Sequence, residues 1–84
     1  MYSDNNTITN CILYNLNTGI YVYSDNNSII NCKSYNNYVG IGINTGNNNE
    51  ISFCRCYLNN YSGISIDNHG DNNRNIKLLY SNSN

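Results

Sequence analysis

The ten residues from Tyr2 to Cys11, YSDNNTITNC, return at Tyr23 to Cys32 as YSDNNSIINC, 21 residues later and with two differences. The match continues beyond these segments, because Gly19 falls on Gly40 at the same spacing. A fixed period of 20 to 50 residues is typical of solenoid proteins, in which each repeat forms one unit that stacks on the next. This repeat constrains the fold more than any other feature of the chain.

Later copies of the repeat contain small insertions. Ile51 follows Ile29 by 22 residues, Gly63 follows Gly40 by 23, and a fourth copy begins at Ile76, 25 residues after Ile51. The insertions fall between the apolar positions, as expected when loops tolerate changes that a core does not. With a period of 21 to 25 residues, the chain should form about three and a half coils. We predict these coils at residues 7–27, 28–49, 50–74 and 75–84.

Short alternating segments within each copy predict β-strands. Ile20 and Val22, and later Ile41 and Ile43, are separated by one residue, which is the pattern of a strand with one buried face. The chain has eleven Ile and nine Tyr but no Ala, a composition that favours strands over helices. Asn fills 22 of the 84 positions, often in runs, and Asn suits tight bends. Matching strands of successive coils should therefore lie parallel, one above another.

Two other solenoids with short repeats fit the sequence less well. Leucine-rich repeats need a Leu-rich frame, and this chain has only five Leu. Left-handed coils built from six-residue units need a hexad pattern, which is absent. A right-handed parallel β-helix with about three strands per coil remains.

Six segments carry a pattern of the form N-N-x-I…N…G-I-x-V/I. They are 6–8, 19–22, 27–29, 40–43, 49–51 and 63–66. The pattern resembles the parallel β-helix repeat of the carbohydrate-binding and sugar-hydrolase group. That group includes pectin-lyase-like proteins and the periplasmic copper-maturation protein of nitrous-oxide reductase. The resemblance covers nearly the whole chain and indicates the fold more specifically than the function, because one fold hosts many activities.

The resemblance implies an extracellular or cell-surface protein. We interpret the chain as a non-catalytic structural or carbohydrate-associated segment of such a protein, with polysaccharide as the expected partner. The alternative is a scaffold fragment of a polysaccharide lyase or glycoside hydrolase whose catalytic residues lie outside this chain. A relative of the copper-maturation protein is a third interpretation, which the cysteines and His69 do not support. We assign no catalytic residue and expect no cofactor.

The two ends of the chain lack the capping segments that solenoids need. Met1 falls at an inward-facing repeat position, and the chain stops midway through the fourth coil. We expect an uncapped fragment of a longer β-helix. The alternative is a complete short protein whose open ends associate end to end with another copy, because exposed strand edges invite pairing.

Charge and hydropathy exclude two classes of partner. The net charge is −1, and only nine residues are Asp, Glu, Lys or Arg, so the chain has no basic patch for nucleic acid. No apolar run is long enough to insert into a membrane. The opening residues, Met1 to Asp4, do not resemble a signal peptide.

The four cysteines suggest a metal site or a disulfide, but their spacing favours neither. Cys11, Cys32 and Cys54 occupy one repeat position, so stacking should place them in a column about 4.8 Å apart. Parallel Cβ vectors do not favour the disulfide dihedral, and Cys54 and Cys56 are closer in sequence than a typical zinc pair. Leu79 holds the same position in the fourth copy, and Leu can pack but cannot bind metal. We predict a ladder of reduced, packed cysteines and no metal site.

Tyrosines are the first candidate binding residues. Tyr21 and Tyr23 flank the inward Val22 and should face outward, where their rings could pack against the apolar faces of sugars while Asn amides bond the hydroxyls. We therefore identify Tyr21 and Tyr23 as candidate ligand-binding residues. Three other tyrosines recur at one position and should stack as a packing ladder worth ~0.2–1 kcal/mol per pair. These are Tyr14, Tyr35 and Tyr57.

The longest departure from the repeat, between Ile66 and Ile76, holds the second group of candidates. A loop that departs from a repeat is a common location for function. Sugar hydrolysis needs two placed carboxyl groups, but we do not interpret this loop as catalytic. Its candidate ligand-binding residues are Asp67, His69, Asp71 and Arg74.

Two further pairs of polar residues occupy equivalent repeat positions. Asp4 and Asp25 should bend the main chain locally through Asx-type hydrogen bonds. Asn10 and Asn31 stand where Phe53 occurs in the third copy, which suggests inward or bend-facing positions. A buried amide must be paired, and stacked Asn side chains can bond one another along the axis.

Overall fold

A computed structural model of the chain describes residues 1–44, 46–66, 74–76 and 80–83. Regular structure in these ranges consists of eleven short strands. The described residues contain no helix that is long and apolar enough to cross a membrane. The strands are β1 (Thr7–Thr9), β2 (Ile12–Tyr14), β3 (Thr18–Val22), β4 (Ser28–Ile30), β5 (Lys33–Tyr35), β6 (Val39–Ile43), β7 (Glu50–Ser52), β8 (Arg55–Asn59), β9 (Ser62–Ile66), β10 (Arg74–Ile76) and β11 (Tyr80–Ser83).

Every third strand pairs in parallel with its equivalents, and this produces three sheets. Sheet A contains β1, β4, β7 and β10, sheet B contains β2, β5, β8 and β11, and sheet C contains β3, β6 and β9. In sheet A, Ile29 lies in register between Ile8 and Ile51. The predicted parallel β-helix with three strands per coil is therefore confirmed, and residues that match in the repeat become neighbours in space.

The register of the fourth coil differs from the sequence prediction. Strand β10 pairs with β7 so that Asn75 lies opposite Ile51, and Ile76 lies opposite Ser52. Assigning Ile76 to the place of Ile51 was therefore wrong by one residue. The insertion before Ile76 breaks the period, so apolar spacing alone could not fix which residue pairs with which, and a shift of one residue moves a side chain to the other face.

Each of the first three coils turns at three corners, and each of these corners has one residue other than glycine with a positive φ. In the first coil these residues are Asn5, Asn10 and Asn15, with φ between 57° and 62°. Asn adopts this left-handed conformation more easily than other residues with a side chain, because its short amide can bond nearby main chain. The later corners use Asn26, Asn31, Asn36, Asn48, Phe53 and Leu58. Seven of the nine are Asn, which confirms that Asn residues form the bends.

The residue that follows a left-handed corner residue connects successive coils. Asn27 accepts the main-chain N–H of Asn6 through Oδ1 at 2.8 Å, and Asn49 accepts that of Asn27 at 2.8 Å. At the corner between sheets B and C, Asn37 accepts the N–H of Leu16 at 2.8 Å. Asn27, Asn37 and Asn49 are buried, and no buried polar side-chain atom in the described ranges lacks a hydrogen-bond partner. Buried amides are thus the links between coils at these corners.

The interior amides are not the ones that the sequence suggested. Asn10 and Asn31 are exposed bend residues, and the Nδ2 of Asn31 donates to the Oδ1 of Asn10 at 2.7 Å. The bend-facing interpretation and the stacking are confirmed, but the inward position belongs to residues such as Asn27 and Asn37. Alignment with Phe53 misled the prediction, because Phe53 is itself an exposed left-handed corner residue.

Asp4 and Asp25 also bond differently from the prediction. The Oδ1 of Asp4 accepts the N–H of Asp25 at 2.8 Å, and the Oδ1 of Asp25 accepts the N–H of Asn47 at 2.7 Å. These bonds join one coil to the next, so the prediction of Asx-type bonds within one coil was wrong. The adjacent left-handed Asn already makes the bend, which leaves the carboxylate free to reach the next coil.

The core is a stack of inward-facing aliphatic side chains packed together with buried cysteines. Each buried Ile contributes about 1.5–3 kcal/mol relative to exposure. On the sheet C side the coils approach so closely that a Cβ at Gly40 would lie 2.4 Å from the carbonyl oxygen of Gly63. That contact explains why the position is Gly in each of the first three coils. The buried apolar residues are Ile20, Val22, Ile29, Cys32, Ile41, Ile43, Ile51, Cys54 and Cys56.

Candidate functional site

A cleft of about 280 Å³ lies on the outer face of sheet C. Tyr21, Gly42 and Ser65 are aligned across β3, β6 and β9, on the face opposite the buried Ile41 and Ile43. Because Gly42 has no side chain, the ring of Tyr21 can pack against its buried main chain, 3.4 Å from where a Cβ would be. The cleft lies along this row of three residues.

Tyrosine rings form the walls of this cleft. Tyr38 and Tyr61 line the cleft together with Tyr21, and the rings of Tyr38 and Tyr61 stack with centroids 5.2 Å apart and planes 10° apart. Tyr38 is 50% exposed and Tyr61 is 65% exposed, so both rings present accessible faces or edges to a ligand. An exposed aromatic wall of this kind suits a molecule that has apolar C–H faces.

Tyr23, the second tyrosine predicted to bind a ligand, lies beside the cleft and does not line it. Its ring packs on Tyr21 at 4.7 Å with planes 34° apart, and it stacks on Tyr2 at 5.0 Å with planes 4° apart. Tyr23 therefore buttresses Tyr21. The structure therefore places Tyr21 in the lining of the cleft and Tyr23 beside the cleft.

The polar groups of the cleft are neutral. Amides of Asn17 and Asn44 and hydroxyls of Thr18 and Ser65 accompany the tyrosines. None of the described residues that line the cleft is charged. Amides and hydroxyls can both donate and accept hydrogen bonds, as a polyhydroxylated ligand requires.

Sheet B carries the predicted tyrosine ladder on its outer face. Tyr35 stacks on Tyr14 with centroids 5.3 Å apart and on Tyr57 with centroids 5.0 Å apart, and both pairs are within 10° of parallel. These rings pack on one another in register along the axis. The prediction of a packing ladder is confirmed.

The cysteine column is present at the corner between sheets A and B. Cys32 Sγ accepts the N–H of Cys11 at 3.4 Å, and the thiols of Cys32 and Cys54 donate to the carbonyls of Ile30 and Ser52 at 3.4 and 3.3 Å. All four cysteines are free, and no described cluster of His, Cys, Asp or Glu could hold a metal ion.

Burial raises the pKa of three of the four thiols. It raises the pKa of Cys32 and Cys54 above the ordinary value, and it raises the pKa of Cys56 to about 12. The thiolate is the form that ligates metals and attacks electrophiles. The column therefore acts as part of the core, with Cys taking the place that Asn takes at the other corners.

The second group of candidate residues is described only in part. Asp67, His69 and Asp71 lie outside the described residues. Arg74 begins β10, with its main chain opposite Glu50 in sheet A. Their role as ligand-binding residues stays a prediction.

Sequence reasoning missed Tyr38 and Tyr61. The 23-residue spacing between them equals the Gly40 to Gly63 spacing and could have identified a second outward column. Their proximity to Tyr21 could not be read from the repeat, because it depends on how the corner before sheet C folds against that sheet.

Comparison with known families agrees with the geometry. A family model described as a right-handed beta helix region matches residues 1–84. No match was found among curated proteins or solved structures. The stacked parallel sheets and the family match lead to one conclusion: the chain belongs to the right-handed β-helix family.

Proposed function

We propose that this chain is a non-catalytic β-helix segment of an exported surface protein and that it contacts carbohydrate through the sheet C cleft. The observation that carries this proposal is the combination of three exposed tyrosines with neutral amides and hydroxyls in one depression. The cleft volume of about 280 Å³ suits a ligand portion the size of one or two sugar rings. We base carbohydrate as the class of partner on the aromatic rings, amides and hydroxyls of this lining.

The lining also defines which sugars should bind. A neutral pyranose presents C–H groups to the rings of Tyr38 and Tyr61 and hydroxyls to the amides of Asn17 and Asn44. Without a cation in the described lining, the cleft offers no charge-assisted bond to a sugar carboxylate. Uncharged polysaccharides are therefore the expected partners of this surface.

Binding to an array of neutral and acidic glycans tests the proposal. Tyr21→Ala and Tyr61→Ala should each weaken binding about tenfold, because each removes an aromatic contact of ~1 kcal/mol or more. Tyr14→Ala is the matched control, since Tyr14 is 53% exposed on sheet B and does not line the cleft. Circular dichroism should show the same fold in all variants. Equal binding by Tyr21→Ala and the unmodified protein would remove the proposal.

An activity assay separates this function from an enzyme scaffold. Incubation with a panel of polysaccharides should leave chain lengths unchanged, and reducing-end or unsaturated products would favour the lyase or hydrolase alternative. End-to-end association through the terminal coils also stays a prediction. Sedimentation over a range of protein concentrations would measure it.

A further inference from the structure

Two positive side chains lie next to each other on sheet B. The strand register places Lys33 directly opposite Arg55 in β5 and β8, one strand spacing of about 4.8 Å apart along the axis. Both residues are exposed. Like charges directly opposite each other in a sheet are destabilising, and a nearby negative charge would offset this repulsion.

The described residues do not supply that compensation. They include three carboxylates, Asp4, Asp25 and Glu50, and none forms an ion pair with Lys33 or Arg55. Asp4 and Asp25 bond main-chain N–H groups of the next coil, and Glu50 accepts a hydrogen bond from Ser52 Oγ at 3.0 Å. The potential of the cation pair is thus left without a neighbouring negative charge in this part of the chain.

A hollow of about 320 Å³ opens beside the two cations. Asn31 provides an amide at its edge, and Phe53, 42% exposed, provides an apolar wall. The hollow is distinct from the sheet C cleft, since the two share no lining residue. Its polarity differs as well, because the sheet C cleft is neutral.

We propose that Lys33 and Arg55 form a binding site for a doubly charged oxyanion, either free sulfate or phosphate or the same group carried as an ester. The Arg55 guanidinium offers a fork of N–H donors that matches two oxygens, and the Lys33 ammonium adds a point charge. Two cations favour a dianion over a monoanion. The hollow leaves room for a substituent on the oxyanion, with Phe53 against its apolar part.

Titration followed by ¹⁵N–¹H NMR tests this site. Inorganic sulfate, inorganic phosphate and a monosaccharide sulfate are added separately to the protein, with chloride at equal ionic strength as the reference. Saturable shifts are expected at the amides of Asn31, Lys33 and Arg55. Lys33→Gln and Arg55→Gln should each raise the dissociation constant at least about fivefold, because even a single pair of unit charges ~4 Å apart in water has an effect of this size.

Tyr14→Gln is the matched control, because Tyr14 is exposed on the same sheet but does not line the hollow, so this variant should leave the dissociation constant unchanged. Saturation by all three probes indicates a site for the free ion, and saturation by the ester alone indicates an esterified ligand; either result supports the proposal. Shifts that do not saturate, or equal dissociation constants for the unmodified protein and the Lys33→Gln/Arg55→Gln double variant, overturn it. Tyr21→Ala should bind the oxyanion with an unchanged dissociation constant, because Tyr21 does not line the hollow. The oxyanion site is therefore tested independently of the carbohydrate cleft.

Discussion

At the scale of single residues, Asn has two roles that alternate along the chain. In Asn26-Asn27 and in Asn36-Asn37 the first residue has a positive φ and the second is buried. The first role uses the tolerance of Asn for left-handed angles. The second uses its amide as a partner for main chain of the neighbouring coil. The high Asn content is thus explained by backbone geometry and by inter-coil bonding together.

Phe53 occupies a corner position that suits Asn better. Its φ is 56°, and a side chain other than that of Asn or Asp costs about 1–2 kcal/mol in this region. Phe53→Asn should raise the free energy of unfolding by about 1 kcal/mol, because Asn relieves this cost and can extend the Asn10–Asn31 amide stack. Urea denaturation measures the change.

Phe53→Ala serves as the control for this substitution. It removes the same ring without adding the left-handed preference, so it should be less stable than Phe53→Asn. Equal stabilities of the Asn and Ala variants would show that the ring, and not the backbone conformation, determines the effect of residue 53.

The buried thiol of Cys56 predicts a loss of stability at alkaline pH. Its pKa is raised from 9.0 to about 12 by burial, so above pH 9 the unfolded chain releases this proton while the folded chain keeps it. The contribution of the protonated Cys56 thiol to the free energy of unfolding is fully present below pH 9 and is lost as the pH rises toward 12. Between pH 8 and pH 10 the free energy of unfolding should fall by about 1 kcal/mol more for the unmodified protein than for Cys56→Ala, as measured by urea denaturation. Parallel pH profiles for the two proteins would contradict this expectation.

At the scale of elements, the strands are too short to be stable alone. β4 and β5 have three residues each, and each pairs on both sides with strands of other coils. A pair of short strands is marginal in water, so the stability of each strand depends on the sheet and on the corners that hold it there. The corners therefore determine whether the coils stay in register.

The corner between sheets B and C offers a test with adjacent residues. Asn37→Ala should lower the free energy of unfolding by about 2–3 kcal/mol, because it removes a buried amide that accepts from the N–H of Leu16 and donates to the hydroxyl of Ser34. Asn36→Ala should lower the free energy of unfolding by only about 1 kcal/mol, the cost of the left-handed conformation alone, since the side chain of Asn36 is exposed. Thermal unfolding of both variants gives the comparison. A larger loss for Asn36→Ala would mean that the bend, not the buried amide, holds the corner.

The sequence predicted what depends on the repeat and missed what depends on the corners. Tyr14, Tyr35 and Tyr57 recur at one repeat position, which predicted that they stack, and the same reasoning gave the cysteine column. It could not say which Asn of an adjacent pair faces inward, because both are Asn and only the backbone angle distinguishes them. Tyr21 could be predicted as a site residue because it alternates with the inward Val22 along a strand. Tyr38 lies at a corner, where the sequence does not show which way a side chain faces, so it was not predicted.

At the scale of the whole molecule, the coils form a one-dimensional stack in which each contacts only its neighbours. In sheet C, β6 lies between β3 and β9, whereas β3 pairs with β6 alone in the described structure. In sheet A, Ile29 is buried between Ile8 and Ile51, while Ile8 is only half-buried. Stability should therefore be greatest in the second coil and lower in the first.

Hydrogen exchange should reveal this gradient along the stack. Main-chain amides of β4, β5 and β6 should exchange more slowly than those of β1, β2 and β3, because local opening of the first coil breaks contacts on one side only. Ile29→Ala should lower the free energy of unfolding by about 2–5 kcal/mol, whereas Ile8→Ala, in the same column, should cost about 1 kcal/mol. Mass spectrometry after exchange, together with urea denaturation of the two variants, makes the measurement. Uniform protection of all three coils and equal losses for the two variants would mean that the stack unfolds as one cooperative unit, and that stability along it is not set by the number of neighbouring coils.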